Sequence, residues 1–360
     1  MNESKKRVIV GLSGGVDSSV AALLLLEQGY QVEALFMKNW EEEDDDKHCT
    51  SAEDLVSAQK VCEKLNIKLH TINFSKEYWD TVFENFLVEH RLGRTPNPDV
   101  LCNREIKFKT FLNYALELGA DCIATGHYVQ NAYHINHHQL HKGQDPNKDQ
   151  SYFLYTLTQN ALSKSLFPIG HLDKPTVRKI AKNAGLPTYL KKESMGICFI
   201  GKRNFKQFLN RFMPTEPGKM ETPEGKIIGQ HDGLMFYTIG QRQGLGIGGQ
   251  SNTDNAAWYV VKKDLERNVL MVAQGKDHPL LYKTSLEATA LHWIAEIPPQ
   301  FPLTCSAKIR YRQEDVPCTL ERIDAATYKV IFKMPQWAVT PGQSVVFYQH
   351  NTCLGGGIIH

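Results

Sequence analysis

Serines, glycines and an aspartate stand together in Ser13-Gly14-Gly15-Val16-Asp17-Ser18-Ser19, after an apolar run at 6–12 and ahead of an apolar-periodic segment at 18–30. Two glycines let the backbone close on an anion, and a helix N-terminus offers free N–H groups and a positive end. Ser13, Ser18 and Ser19 add hydroxyl donors, so the stretch reads as a loop that grips phosphates. The lysine-bearing pattern G-x-x-x-x-G-K-[ST] does not occur in the chain, which argues against terminal phosphoryl transfer by the usual P-loop machinery. A plain strand-to-helix turn with a serine cap is the alternative. It would suit a lone Gly-Gly better than this crowd of hydroxyls.

The second chemistry is sulfur. Thr95-Pro96-Asn97-Pro98-Asp99 leads to Cys102, expected at the start of a helix over 104–118, where a helix N-terminus favours thiolate over thiol. Asp99, three residues earlier, could act as a base on a substrate proton, and the prolines around Asn97 stiffen the loop. An inert buried cysteine is the plainer reading, and it fits Cys62 and Cys122, which lie in apolar periodic stretches, better than Cys102. Cys198 sits within 193–201, flanked by Lys191, Lys192, Lys202 and Arg203. Those cations would stabilise a thiolate, although by itself a packing cysteine explains the segment equally well. As a pair, Cys102 and Cys198 match what sulfur transfer needs: one thiol to carry a sulfane sulfur and another to release it.

These residues need a scaffold. The chain has 360 residues, two or three domains at roughly 150 residues each, with 42% hydrophobic content. Lys plus Arg, 41, nearly cancels Asp plus Glu, 39, so the charge does not announce a nucleic-acid binder. The longest apolar run, 20–26, is far short of a membrane span, and no secretory signal is recognised, so a soluble cytoplasmic protein with no membrane partner is expected. Eight cysteines without a C-x-x-C pair speak against a disulfide scaffold or a zinc site. Strand-like runs at 6–12, 31–37, 68–74 and 120–125 alternate with helical patterns at 18–30, 55–65, 77–92 and 104–118, which predicts an α/β, doubly wound, mainly parallel sheet. The acidic tract 41–46 reads as a solvated loop. After a short helix at 204–212 the chain turns proline- and glycine-rich, then gives short β runs at 258–261, 269–272, 306–311, 328–332 and 344–348, the pattern of an antiparallel barrel or sandwich. Lys308, Arg310 and Arg312 stand at alternate positions of a predicted strand, so all three are expected on one strand face. The expected division is a catalytic domain at 1–203, a small central domain at 204–275 and a C-terminal β-barrel at 276–360.

The phosphate loop resembles that of the N-type ATP pyrophosphatases. Taken with TPNPDVLCNREIKF, ATGHYV, KDQSYFL, ESMGICFIG, YTIGQRQGLGIGG and TPGQSVVFY, the chain resembles over nearly its whole length the tRNA-specific 2-thiouridylase family. The resemblance implies ATP-dependent thiolation of the wobble uridine of tRNA, with Mg²⁺ accompanying ATP and AMP and pyrophosphate released. It implies that Gly11, Leu12, Ser13, Gly14, Gly15, Val16, Asp17 and Ser18 bind the ATP phosphates, and that Met37 and Gly126 line the adenosine site. Asn97, Pro98 and Asp99 would contact the target base, with Asp99 as general acid/base. Cys198 would receive persulfide sulfur from a relay protein, and Cys102 would release it, ending in a disulfide with Cys198. His127, Lys148, Asp149, Gln150, Arg310, Tyr311 and Gln343 would contact tRNA, by resemblance the Lys, Glu and Gln species. An amide-forming synthetase of the same ATP superfamily, which would need no cysteines, and a non-catalytic RNA-binding module remain the alternative readings.

Overall fold

The computed structural model describes residues 5–41, 50–192, 205–247 and 256–360; Cys198, Lys202, Arg203 and most of the acidic tract lie outside them. The first layer is built from β1 (Arg7–Gly11), β2 (Gln31–Lys38), β3 (Leu69–Asn73) and β4 (Cys122–Ala124). A hairpin of β5 (Val129–His134) and β6 (His137–Lys142) follows, then the short β7 (Ser165–Leu166). Strands β3-β2-β1-β4-β7 form one sheet, parallel at every pairing, as the doubly wound reading expects.

Alternation along β1 explains how one apolar run serves two faces. Ile9, with Leu35 and Ile123, packs into the aromatic core that includes Phe83, Phe86 and Phe111. Val8 and Val10 face the other way, onto Ala22 and Leu25 of the helix Val16–Glu27. Each such fully buried aliphatic side chain contributes on the order of 1.5–3 kcal/mol through loss of apolar surface to water.

The central segment forms a four-stranded sheet, β10-β11-β8-β9, from β8 (Gly218–Glu221), β9 (Ile227–His231), β10 (Trp258–Asp264) and β11 (Val269–Gln274). The tail holds β12 (Tyr282–Trp293), β13 (Leu303–Lys308), β14 (Val316–Arg322), β15 (Tyr328–Trp337), β16 (Ser344–Gln349) and β17 (Thr352–Ile359). These six run in the order β12-β15-β14-β13-β16-β17, and β12 also pairs with β17, so the sheet closes into an antiparallel barrel. The β5–β6 hairpin, far away in sequence, adds to the barrel sheet through β6 and β17.

Two expectations are corrected. The helix predicted at 104–118 starts earlier: α-helical Pro98–Leu101, π-helical Cys102–Thr110 and α-helical Phe111–Glu117 form one run over 98–117. Pro98 at the first helical position, after an extended Asn97, is a natural start that the apolar periodicity does not reveal. The strand predicted at 306–311 is Leu303–Lys308, so Arg310 and Arg312 lie in the turn beyond it, and the three cations do not share a strand face.

Candidate nucleotide and thiol site

Gly15 caps the helix Val16–Glu27 with extended backbone and no side-chain hydrogen bond, leaving its first N–H groups to the loop and to any anion placed there. The loop is held from inside. Ser13 N donates to Ser18 Oγ at 3.2 Å, and the Ser18 and Ser19 hydroxyls donate to Gly15 O at 3.2 and 2.7 Å. Gly14 has φ +72°, and a Cβ there would lie 2.3 Å from Asp54 O. The cradle therefore requires glycine at this position. A Cβ on Gly126 would fall 2.7 Å from Ser18 N, so the turn after β4 packs directly on the helix start. A Cβ on Gly11 would meet Met37 Cε at 3.4 Å and Phe111 at 3.2 Å. Gly11 to Ser18, Met37 and Gly126 thus gather at the carboxyl ends of β1, β2 and β4, where the strand order reverses and open α/β sheets bind ligands. This geometry fits the phosphates of a nucleotide.

Asp17 is committed to the scaffold. Its carboxylate takes both Lys174 Nζ contacts at 2.7 Å and the Tyr128 hydroxyl at 2.7 Å. Lys174 opens the helix Lys174–Asn183, capped by Asp173, whose side chain accepts from Thr176 N. The sequence reading did not find this clamp; the Asp-Lys-Pro start of the helix was its one local signal.

The run over 98–117 carries the second half of the site. At one end Phe111 meets Gly11, and the Phe108 ring lies 5.7 Å from the His127 ring. At the other end stand Asn97, Pro98, Asp99 and Cys102. From Cys102 to Phe111 is roughly 10–14 Å along the axis. Asp99 is half-buried, and burial raises its carboxyl above the ordinary range, with the Lys107 charge opposing. Cys102 is 2% exposed and lies a full turn inside the helix, so the expected stabilisation by a helix N-terminus, which fades within the first turn, does not apply to it. Cys62 and Cys122 are buried thiols raised by desolvation, Cys62 to about 11, as expected of packing cysteines.

Of the residues assigned to tRNA, Asp149, Tyr311 and Gln343 make contacts between the N-terminal part and the barrel, His127 lies within the parallel layer, and Arg310 links the central segment to the barrel. His127 is buried, its Nδ1 lies 2.8 Å from Thr125 Oγ1, and burial pushes its pKa well down. Gln150 Oε1 accepts from Tyr128 N at 3.0 Å. Asp149 accepts from Gly143 N and Ser151 N, both at 3.1 Å, and from Lys308 Nζ at 3.3 Å. Arg310 donates to Ile239 O, Ala338 O and Thr340 Oγ1 within 3.0 Å, joining the central segment to the barrel. Tyr311 packs on Phe153 with centroids 4.5 Å apart. Lys148 is half-buried beside Asp149. Gln343 Nε2 donates to Thr95 O at 2.8 Å and Pro96 O at 3.3 Å. Thr95 N donates to Pro341 O at 2.9 Å, and a Cβ on Gly342 would press within 2.9 Å of Thr95 N. The barrel turn 340–343 therefore fixes the loop that introduces Asp99 and Cys102.

Among the described residues no group of three or more His, Cys, Asp or Glu could hold a metal ion, and no helix is long and apolar enough to cross a membrane.

Three family models match successive parts of the chain. The family described as tRNA methyl transferase HUP domain matches residues 6–202, the tRNA methyl transferase PRC-barrel domain matches 206–274, and the aminomethyltransferase beta-barrel domain matches 283–359. The tRNA-specific 2-thiouridylase MnmA of Haemophilus influenzae is 61% identical over 355 residues, covering 98% of this chain and 93% of that protein. The proteins of the same name from Stutzerimonas stutzeri and Tolumonas auensis are 59% and 60% identical, covering 99% of this chain and 94% and 97% of theirs.

Proposed function

The chain belongs to the tRNA-specific 2-thiouridylase family, and from that premise we propose that it replaces the C2 oxygen of the wobble uridine of tRNA with sulfur at the expense of ATP. A uracil C2 carbonyl is a poor electrophile, and transfer of AMP to its oxygen creates a good leaving group. The loop Ser13 to Ser18 and the helix start would hold the phosphates while O2 attacks the α-phosphorus and pyrophosphate departs. Mg²⁺ would travel on the triphosphate, as it does where few carboxylates are offered. Asp99 would take the N3 proton in this step, a task suited to a carboxyl raised by burial.

The sulfur step uses two thiols. A persulfide on Cys198, loaded by a relay protein, attacks C2; a C–S bond forms, the C–O bond breaks and AMP leaves. The Cys102 thiolate then attacks the Cys198 sulfur, the bond to the transferred sulfur breaks, and 2-thiouracil is left with its N3 proton restored by Asp99. The cysteines end as a disulfide, which an external thiol reductant returns to the start. Single-stranded wobble bases can enter such a site without breaking a pair. The anticodon arm would lie against Lys148 to Gln150, Tyr311 and Gln343.

The observation that supports this reading most is the convergence of phosphate loop and thiol helix: Phe111, on the run that carries Asp99 and Cys102, packs against Gly11 at the loop. Pyrophosphate release tests it. Release should require ATP together with a tRNA bearing wobble uridine; release driven by an amino acid without RNA would favour the amide-synthetase alternative, and no release with any tRNA would leave only an RNA-binding module.

A further inference from the structure

Asn103 follows Cys102 and stands four residues beyond Asp99, so Asp99 and Asn103 lie on one side of the helical run. It is 3% exposed. Its Nδ2 donates to Phe153 O at 3.2 Å, which fixes the amide orientation and leaves Oδ1 as the acceptor. That oxygen is sealed from solvent and accepts no hydrogen bond. A dry, unsatisfied acceptor is costly, and it is retained where a ligand supplies the missing donor. Asn103 also joins the two segments already placed around the substrate, the Asp99–Cys102 helix and the stretch after Lys148 to Gln150.

Uracil and cytosine share the C2 carbonyl. They differ next to it, at N3, which carries hydrogen in uracil and a lone pair in cytosine, and again at C4. We propose that Asn103 reads the N3 position of the target base, its Oδ1 accepting the N3–H of uracil and facing the N3 lone pair of cytosine unfavourably. The inference rests on the function proposed above and adds to it the residue that selects the base. In the ground state Asn103 would hold the N3–H, and Asp99, one turn earlier, takes that proton as O2 attacks. The new Asp99 hydroxyl can then donate to Oδ1 in place of N3–H, and it returns the proton to N3 when the thione forms. The base would be identified by the proton that the reaction removes. Cys102 and Asn103 are 2% and 3% exposed, so entry of the base must uncover both.

The test uses the full-length protein and one tRNA transcript made with uridine or with cytidine at the wobble position, with ATP binding and thermal melting as folding controls. Wild type should bind the uridine transcript at least about tenfold more tightly, the range expected when a buried acceptor is met or left unmet. Asn103→Leu, similar in size and lacking the oxygen, should bring the preference to within about threefold, and Asn103→Asp, kept protonated by burial so that its hydroxyl donates to Phe153 O and its carbonyl remains the acceptor, should retain it. Asn103→Ser is a second truncation should the leucine variant fail to fold, with the same expected loss. A wild type without preference, or an unchanged ratio in the folded truncations even where both affinities drop, overturns the role of Asn103. A wild type that thiolates neither transcript overturns the proposed function instead, and the two failures are distinguishable.

Discussion

At Gly14 the backbone conformation and the nearby Asp54 carbonyl leave no room for a side chain. Gly14→Ala should therefore weaken ATP binding at least about tenfold and cost on the order of 1–3 kcal/mol of stability, read by calorimetric titration and thermal melting. Asp99 makes a pH-dependent prediction. Burial raises its carboxyl, so it stays protonated to higher pH than a solvated aspartate, and a rate that needs it as a base falls as pH drops through that raised value. The substitution Asp99→Asn should remove this limb and lower the thiolation rate about 10²- to 10⁴-fold; a pH profile that the substitution leaves unchanged would exclude the role. The loop 13–19 was legible from residue types alone, because backbone and hydroxyls in one contiguous stretch shape it. Cys102 was expected at a helix start, where it does not lie. Its neighbours pointed to it, but the helix begins at Pro98 and the N-terminal field is largely spent before Cys102.

Among the elements, the loop 94–98 is held by the barrel turn 340–343 rather than by its own strand-helix unit. Gln343→Ala should lower kcat for thiolation about tenfold, by loosening a positioning contact, while leaving the ATP dissociation constant nearly unchanged. Equal losses in both would place Gln343 elsewhere in the mechanism. The helix Glu84–Arg91 meets the central segment through His90, whose Nδ1 lies 3.1 Å from Met235 O and whose pKa is pushed down to about 4 by burial, with the Lys263 charge adding to the effect. A base with a folded pKa below its unfolded value of about 6.5 stabilises fully above the latter and progressively less as pH falls from there towards 4. Thermal stability should decline over that window, and His90→Gln, which cannot gain the proton, should flatten the decline. Elements with strong periodicity were legible, whereas the π-helical stretch and the strand end at Lys308 were not: local periodicity carries neither a π-helical register nor the contact that Lys308 makes with the distant Asp149.

Across the whole molecule, the proposed reaction would draw on the parallel sheet and the barrel together. The parallel sheet holds the loop Ser13 to Ser18, the barrel turn 340–343 fixes the loop that introduces Asp99, and Arg310 ties the central segment to the barrel. The sequence order of motifs made the parallel sheet and the β-rich tail readable, but not the β5–β6 hairpin, whose partner strand is more than two hundred residues away. Nor could it show that Asp149, Arg310 and Gln343, all assigned to RNA by resemblance, join distant parts of the chain through their own hydrogen bonds. In the proposed reaction ATP makes a ring oxygen expendable and two thiols deliver its replacement. Mass spectrometry of a wobble-uridine tRNA, after incubation with ATP and a persulfide donor, is the decisive experiment. The wild type should show the increment of sulfur replacing oxygen, lost without ATP and lost in Cys198→Ser while tRNA binding persists. Sulfur incorporation that persists in Cys198→Ser, or that proceeds without ATP, would refute the proposed reaction.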